Sequence, residues 1–369
     1  MRTRSALMVG GLTLLLAGGL LATPAAAAGC FGKQATITGS NGRDRIRGTN
    51  GSDVIVAKGG NDVVAARGGK DLVCGGGGHD AMHGGSGKDR LRGDAGDDVA
   101  LGAGANDVVQ GNGGHDALFG GSGNDRVLGH AGEDLLRGEG GNDRLRGADD
   151  GDLLLGDTGN DVLDGGGSIF DMASFFFDTV GVSADLTAGV ATSAFTGTDT
   201  LTGIEDLEGT GFDDTLTGNG AENFFLPGPG NDTVNGVDNF DQLIYVFSTA
   251  PVTGDLTTGT VVAEGTDTAT SVEGIQGSEL NDTLAGDAGD NFLFGYLGND
   301  TLAGMDGDDL LDGFEGIDTG DGGNHVIGDL CVSIEIPTNC ESFGRGTGPR
   351  IARDRTAVGV SQTGRDAFG

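Results

Sequence analysis

The chain has 369 residues, of which 77 are glycine, 56 are aspartate or glutamate and 21 are lysine or arginine, and it contains no tryptophan. The formal net charge of −35 argues against nucleic acid as a partner, because a nucleic-acid binder needs lysine and arginine to displace counterions from phosphate. The same charge favours cations as partners. A chain this rich in glycine and acid would stay disordered unless a strict repeat organised it.

An export signal is predicted at residues 1–28. Arg2 and Arg4 form a short basic region, an apolar stretch runs from Ala6 to Ala22, and small residues follow up to Ala28. This order is typical of a secretory signal peptide, and the apolar stretch is short for a membrane-spanning helix. No second apolar stretch of membrane length follows in the sequence. We therefore expect a secreted, extracellular protein with no membrane span in its mature form.

A nine-residue repeat follows a predicted N-terminal cap at residues 29–38. Residues 39–164 divide into fourteen blocks of nine with no insertion. The first and fourth places are each glycine in twelve blocks, the eighth place is apolar in every block, and the sixth place is always aspartate. The sixth-place residues are Asp44, Asp53, Asp62, Asp71, Asp80, Asp89, Asp98, Asp107, Asp116, Asp125, Asp134, Asp143, Asp152 and Asp161.

Each block predicts a turn followed by a short strand. Places one to six have the composition of a turn, in which glycine supplies positive φ angles without steric cost. Places seven to nine alternate polar, apolar and polar, which is the pattern of a strand with one buried side chain. Two blocks then make one coil of a parallel β-solenoid. Stacked coils are expected to bring Asp44 near Asp62, and Asp53 near Asp71.

Columns of stacked aspartates predict bound calcium. Like charges directly opposite each other on neighbouring strands destabilise a sheet, whereas Ca²⁺ would gather carboxylate and carbonyl oxygens into a shell of six or more ligands. The alternative is that aspartate only closes the turns, but asparagine and serine would do so nearly as well, and every block uses aspartate. Each block contributes only one apolar eighth-place residue, so the core is thin. We therefore expect the free energy of calcium binding to contribute directly to folding.

The blocks resemble the RTX family, the hemolysin-type calcium-binding repeats with the consensus G-G-x-G-x-D-x-U-x. Residues 120–128, Gly-Gly-Ser-Gly-Asn-Asp-Arg-Val-Leu, match at every defined place. The resemblance implies an all-β, right-handed parallel β-roll with Ca²⁺ in its turns. RTX proteins of the type I secretion route carry a C-terminal export signal, whereas the signal predicted here is N-terminal. The toxin or protease module that often precedes the repeats does not occur, so a cytolysin or protease role is not implied.

Residues 165–240 and 241–330 are predicted to form two degenerate copies of a wider β-solenoid. Each copy opens with an apolar run, at residues 174–177 and 243–247. The favoured interpretation of these runs is the core of longer coils, and the alternative is an exposed adhesive face. Each copy closes in nonads in which Asn223 or Asn291 once replaces aspartate. The aspartates that we assign to metal there are Asp214, Asp232, Asp282, Asp300, Asp309 and Asp318.

Charge separates the two halves of the chain. Residues 39–164 carry 22 acidic and 13 basic residues, whereas residues 165–342 carry 32 acidic residues and no lysine or arginine. We therefore predict that the second half depends more steeply on divalent cations or salt. Residues 343–369 have the composition of a disordered tail.

The four cysteines allow three disulfide pairings. An even number of cysteines in an exported chain indicates two disulfides. We favour Cys30–Cys74 and Cys331–Cys340, because each pair then closes one end of the chain, the second within residues 331–342. A zinc site is disfavoured, because no C-x-x-C motif occurs and no histidines cluster near a cysteine.

These features predict a secreted, non-enzymatic calcium-ion-binding repeat protein with a structural or adhesive role and a cell-surface or polysaccharide partner. No metalloprotease, nucleophile-elbow or P-loop motif occurs, and no catalytic residue is assigned. The alternative is an extracellular polysaccharide-acting enzyme on residues 165–330, although that region has no lysine or arginine to serve as a base. An ice-binding face would need an outward threonine ladder, which the mixed outward places of residues 39–164 disfavour.

Overall fold

The computed structural model describes residues 29–168, 170–324 and 329–342. These residues form an all-β parallel solenoid, and they contain no helix. The predicted signal peptide at residues 1–28 and the predicted disordered tail at residues 343–369 lie outside the described residues. Among the described residues, no helix is long and apolar enough to cross a membrane.

Strands of six residues dominate the first half of the solenoid. In order, the strands up to residue 166 are β1 (Gly29–Cys30), β2 (Lys33–Gln34), β3 (Ile37–Thr38), β4 (Arg45–Arg47), β5 (Val54–Gly59), β6 (Val63–Gly68), β7 (Leu72–Gly77), β8 (Ala81–Ser86), β9 (Arg90–Ala95), β10 (Val99–Gly104), β11 (Val108–Gly113), β12 (Ala117–Ser122), β13 (Arg126–Ala131), β14 (Leu135–Gly140), β15 (Arg144–Asp149), β16 (Leu153–Leu155) and β17 (Val162–Gly166).

The prediction of three-residue strands was wrong for β5 to β15. Each of these strands continues from places seven to nine of one block into places one to three of the next, so that the turn shrinks to places four to six. Paired residues lie eighteen apart, as Val99 does from Ala117 and Val108 from Arg126. The coil of two blocks is therefore confirmed.

The second half continues the same solenoid with shorter strands. They are β18 (Met172–Ser174), β19 (Ser183–Asp185), β20 (Val190–Ser193), β21 (Gly197–Thr202), β22 (Asp206–Glu208), β23 (Thr215–Thr217), β24 (Asn223–Leu226), β25 (Thr233–Asn235), β26 (Asp241–Ile244), β27 (Thr253–Asp255), β28 (Thr260–Val262), β29 (Thr266–Thr270), β30 (Gly274–Gln276), β31 (Thr283–Ala285), β32 (Phe292–Phe294), β33 (Thr301–Ala303), β34 (Leu310–Asp312), β35 (Thr319–Asp321), β36 (Leu330–Val332), β37 (Ile336–Thr338) and β38 (Glu341–Ser342).

Two long sheets face each other across the core. One sheet has 16 strands, which are the even-numbered strands from β4 to β38 except β20 and β28. The other sheet starts at β3 and passes through the odd-numbered strands to β37. Within it, β19–β20–β21 and β27–β28–β29 each form an antiparallel excursion before the parallel pairing resumes. The same excursion therefore occurs once in each copy of the sequence duplication.

A single column of aliphatic side chains fills the space between the sheets. The eighth-place residues from Ile55 to Leu163 are buried and belong to one continuous core, which extends to Leu311 and Cys331. The apolar runs contribute Phe175, Leu243 and Tyr245 to this core, which supports the core interpretation, although Phe176 is 39% exposed.

Both favoured disulfides are present, Cys30–Cys74 and Cys331–Cys340. The first packs with Val56 in a separate small cluster. The disulfide thereby attaches the hairpin of β1 and β2 to β7, the strand that contains Cys74. Each disulfide thus lies near one end of the solenoid.

Candidate metal-binding turns

The sixth-place aspartates form two hydrogen-bonded ladders along the solenoid. The backbone N–H of each aspartate donates to Oδ1 of the aspartate in the next coil, which lies eighteen residues later up to Asp161, as Asp44 does to Asp62 at 2.7 Å and Asp53 to Asp71 at 2.7 Å. The last two bonds of the first half span 19 residues, from Asp152 to Asp171, and 38 residues, from Asp161 to Asp199. The predicted proximity of these pairs is confirmed. Successive blocks belong alternately to the two ladders, so all fourteen aspartates of residues 39–164 take part.

The second oxygen of most ladder carboxylates has no partner. Asp89 and Asp125, for example, are each 1% exposed, and the Oδ2 atom of each accepts no hydrogen bond. Burying such an oxygen without a partner is costly, and a buried charge is normally compensated by a counter-charge or a metal. The residues with a buried, unpartnered Oδ2 are Asp62, Asp71, Asp80, Asp89, Asp98, Asp107, Asp116, Asp125, Asp134, Asp143, Asp152, Asp161, Asp199, Asp232, Asp241, Asp300, Asp309 and Asp318.

Burial raises the pKa of the ladder carboxyl groups in the middle of the roll and in the second half. Desolvation, with a smaller contribution from neighbouring ladder carboxylates, raises the pKa of Asp98 to about 7 and those of Asp152 and Asp232 to about 8. Hydrogen bonds from the preceding coil lower these pKa values, but by less. The charged form of each ladder is therefore unfavourable until a cation neutralises it.

The first-place glycines leave space in front of these oxygens. A Cβ atom on Gly93 would lie 2.1 Å from Oδ2 of Asp98 and 2.9 Å from the carbonyl oxygen of Gly111. Positive φ angles occur instead at the second and fourth places, as at Asn112 (85°) and Gly114 (131°). Positive φ was therefore the wrong reason for the first-place glycines, which are needed because a carboxylate and a carbonyl oxygen converge on the place of the missing side chain.

This set of donors suits a hard cation. Within residues 29–168, 170–324 and 329–342, no three His, Cys, Asp or Glu side chains gather in a metal-binding group. An ion at these turns would therefore need backbone carbonyl oxygens beside the carboxylates. Calcium accepts such mixed shells of six to eight oxygen ligands, whereas zinc prefers nitrogen and sulfur, and magnesium keeps several waters. The turns fit calcium on this ground.

The ladders continue into the second half through residues that the repeat period did not reveal. Asp161 donates its N–H to Asp199 at 2.8 Å across 38 residues, because β19 and β20 and their loops are inserted between them. Asp241 was accessible from the sequence, since it lies eighteen residues after Asn223, and it accepts that residue's N–H. The ladder residues that the sequence analysis missed are Asp171, Asp199, Glu205, Asp241, Asp267, Glu273, Asp329 and Glu335.

Four predicted metal ligands have a different environment. In Asp44, Asp53, Asp214 and Asp282, Oδ2 accepts the backbone N–H of the residue at the second place of its own block. The other four predicted residues of the second half, Asp232, Asp300, Asp309 and Asp318, keep an unpartnered Oδ2. The predicted ligands of the second half therefore fall into two groups.

Comparison with known proteins identifies the repeat. A family model described as the RTX calcium-binding nonapeptide repeat matches the chain at residues 36–64, 47–82, 75–109, 83–118, 110–145, 119–154, 146–168, 199–234, 276–311 and 294–326. These segments together cover more than half of the chain. A search among curated proteins found no match.

Proposed function

Because the chain belongs to the family of RTX calcium-binding nonapeptide repeat proteins, we propose that it is a secreted protein whose β-roll folds when its turns bind Ca²⁺. We further propose a structural or adhesive role outside the cell. The observation that carries the proposal is the double ladder of aspartates with a buried Oδ2 atom that accepts no hydrogen bond.

The residues that would hold calcium are the ladder aspartates with an unpartnered Oδ2, together with backbone carbonyl oxygens near them, such as that of Gly111. When bound, Ca²⁺ supplies the positive charge that offsets desolvation of the carboxylates and repulsion along each ladder. The chain itself supplies the first-place space, the N–H groups that fix Oδ1, and one buried aliphatic residue per block. Since the apolar core is thin, ion binding contributes directly to folding.

Three features support an extracellular location. The two disulfides are typical of an oxidising compartment, and residues 1–28 carry the predicted export signal. The strongly negative charge keeps a long, stacked solenoid soluble outside the cell. The solenoid would offer a cell-surface or polysaccharide partner an extended, regular surface to contact.

The proposed role is non-catalytic. Residues 165–342 contain no lysine or arginine, and their carboxylates in the ladders are held by backbone N–H groups rather than directed at an open cleft. Acidic polysaccharides incubated with the calcium-loaded protein should release no new reducing ends or unsaturated products. Release of either product would favour the enzyme alternative.

Circular dichroism of the mature chain, titrated with CaCl₂ after EDTA treatment, tests the calcium proposal. We expect the β signal and the compactness measured by light scattering to rise together with Ca²⁺, and MgCl₂ to be much less effective. A chain that is equally folded and compact in EDTA would contradict the proposal.

A further inference from the structure

Most sixth-place turns take one of two forms. In the first form, which we call open, the second and fourth places have positive φ angles and Oδ2 of the sixth-place aspartate is unpartnered; the block of Asp116, with φ of 85° at Asn112 and 131° at Gly114, is an example. In the second form, which we call capped, neither place has a positive φ angle and the sixth-place side chain is satisfied within its own block.

The second-place residue satisfies the carboxylate in capped turns. In the block of Asp53, the backbone N–H and the hydroxyl of Thr49 donate to Oδ2 at 2.7 and 2.9 Å, and the N–H of Gly51 donates to the same hydroxyl at 3.1 Å. Ser40, Thr210 and Ser278 also donate their backbone N–H groups to Oδ2 of their aspartates, at N···O distances of 2.5–2.6 Å. The hydroxyl is a second donor to Oδ2 in Asp44, Asp53 and Asp282, whereas the hydroxyl of Thr210 donates to Oδ1 of Asp214. The oxygen that is free in open turns is thus occupied in all four.

Asparagine replaces the carboxylate in the remaining capped turns. Asn223 accepts the N–H of Asn219 at 2.8 Å, and its amide nitrogen donates to the carbonyl oxygen of Glu205 at 2.7 Å. Asn291 accepts the N–H of Asp287 at 2.7 Å. A neutral side chain with its own donor needs no cation, so these turns are complete as they stand.

Capped turns lie at the start of each run of consecutive nine-residue blocks. They come in consecutive pairs, and each pair makes up one coil: residues 39–56, 209–226 and 277–294. The first coil begins the roll, and the other two begin the nonads that follow the antiparallel excursions. In each case open turns follow, at Asp62, Asp232 and Asp300 respectively.

We infer that a serine or threonine at the second place prevents the turn of a sixth-place aspartate from taking calcium, and that these three coils are metal-free first coils on which the calcium-dependent coils are built. This inference rests on the proposed function. A serine or threonine at the second place donates hydrogen bonds to the carboxylate and so takes the place that an ion would have. An open turn offers Oδ2 no such donor. Asp44, Asp53, Asp214 and Asp282 then stabilise first coils and hold no ion.

Native mass spectrometry of the full mature chain in CaCl₂, which counts bound ions, tests the inference. Thr49→Gly removes the capping hydroxyl and permits positive φ, so we expect one more bound Ca²⁺ than in the unmodified chain. Asn112→Thr introduces a cap beside Asp116, so we expect one fewer. The matched controls are Thr49→Ser, which keeps the hydroxyl, and Asn112→Gly, which keeps an open turn; both should leave the ion count unchanged.

The outcomes separate the two proposals. If the unmodified chain binds no Ca²⁺, the proposed function fails. If it binds Ca²⁺ but the counts of Thr49→Gly and Asn112→Thr stay the same while circular dichroism shows both variants folded, the inference about the second place is wrong. Should Asn112→Thr not fold, the count for Thr49→Gly decides alone: a gain of one ion supports the inference, and no gain overturns it.

Discussion

Replacing Asp116 with asparagine is expected to change stability in opposite directions in the absence and presence of calcium. Asp116 is 3% exposed; its Oδ1 accepts the N–H of Asp98 at 2.8 Å, and its Oδ2 is unpartnered. Asparagine keeps the acceptor and removes the charge. We expect the new amide nitrogen to find a hydrogen-bond acceptor, because the amide nitrogen of Asn223 donates to a carbonyl oxygen of the preceding coil at 2.7 Å.

The magnitude without calcium follows from the pKa of Asp116, which burial raises from 3.8 to about 6. Such a difference corresponds to about 3 kcal/mol of penalty for the charged form at a pH well above 6. Because the adjacent residue His115 is exposed, solvent screens part of this charge. We therefore discount the penalty and expect Asp116→Asn to raise the free energy of unfolding by about 1–2 kcal/mol. In saturating calcium the variant lacks a charged ligand, and we expect a loss of about 3–5 kcal/mol.

The assay is urea unfolding at pH 8, with circular dichroism as the readout, in EDTA and in CaCl₂. An osmolyte such as trimethylamine oxide, present in both arms, keeps the metal-free chain folded at the start of the titration. Glu133→Gln serves as the control, because it removes an exposed acidic charge next to the ladder residue Asp134 and should shift neither arm by more than about 0.5 kcal/mol. A loss of similar size in both arms for Asp116→Asn would refute the reasoning, because the carboxylate would then be structural in its own right.

Three further predictions concern the pH response, the first-place glycines and the second half. Burial raises the pKa of Asp98 to about 7 and that of Asp152 to about 8. The metal-free roll, kept folded by the same osmolyte, should therefore gain thermal stability as the pH falls from 8 to 5, because protonated carboxyls are favoured in the folded state; calcium affinity, measured by calorimetry, should fall over the same range. An unchanged melting temperature in EDTA between these pH values would contradict this. Gly93→Ala places a Cβ 2.1 Å from Oδ2 of Asp98 and should cost about 1–3 kcal/mol in CaCl₂, whereas Gly77→Ala, with open space around its Cβ, should be nearly neutral in the same urea titration; equal costs would show that the space is not needed. Hydrogen exchange at low and high NaCl, with limiting calcium, should show a larger salt dependence in residues 165–342 than in residues 39–164, because only the first half has internal basic residues; equal salt dependence of the two halves would contradict this prediction.

The nine-residue period was sufficient to predict the coil, the core column and the stacking of Asp44 on Asp62. These follow from periodicity alone, because an unbroken period of nine permits only one register of coil on coil. Strand length did not follow, since places one to three are glycine-rich and read as a turn; only their pairing across coils, as of Lys58 with Gly76, makes them strand. Backbone pairing there overrides local preference.

The candidate site was predictable only in part, for two physical reasons. Insertions prevented the prediction of Asp199 and Asp267. Each is the next residue of a ladder in space, but it lies 38 or 35 positions along the chain from the ladder residue before it. The sequence also did not reveal that Oδ2 is capped in Asp53 and unpartnered in Asp71, because the capping residue Thr49 occupies a place where the repeat tolerates many residue types. The signal, a hydroxyl four residues before the aspartate, becomes interpretable only when its hydrogen bonds are seen.

The antiparallel excursions have a consequence for how this architecture can accept new sequence. At each excursion the ladder bond re-forms at 2.8 or 3.0 Å despite the additional residues. Register is thus set by where a segment leaves and rejoins the stack, and not by the length between those points. The exposed tips of the turns between paired strands of the excursions, residues 187–188 and 257–258, are consequently natural points for grafting a foreign peptide. Such a graft would project from the side of the rod while the coils above and below keep their alignment.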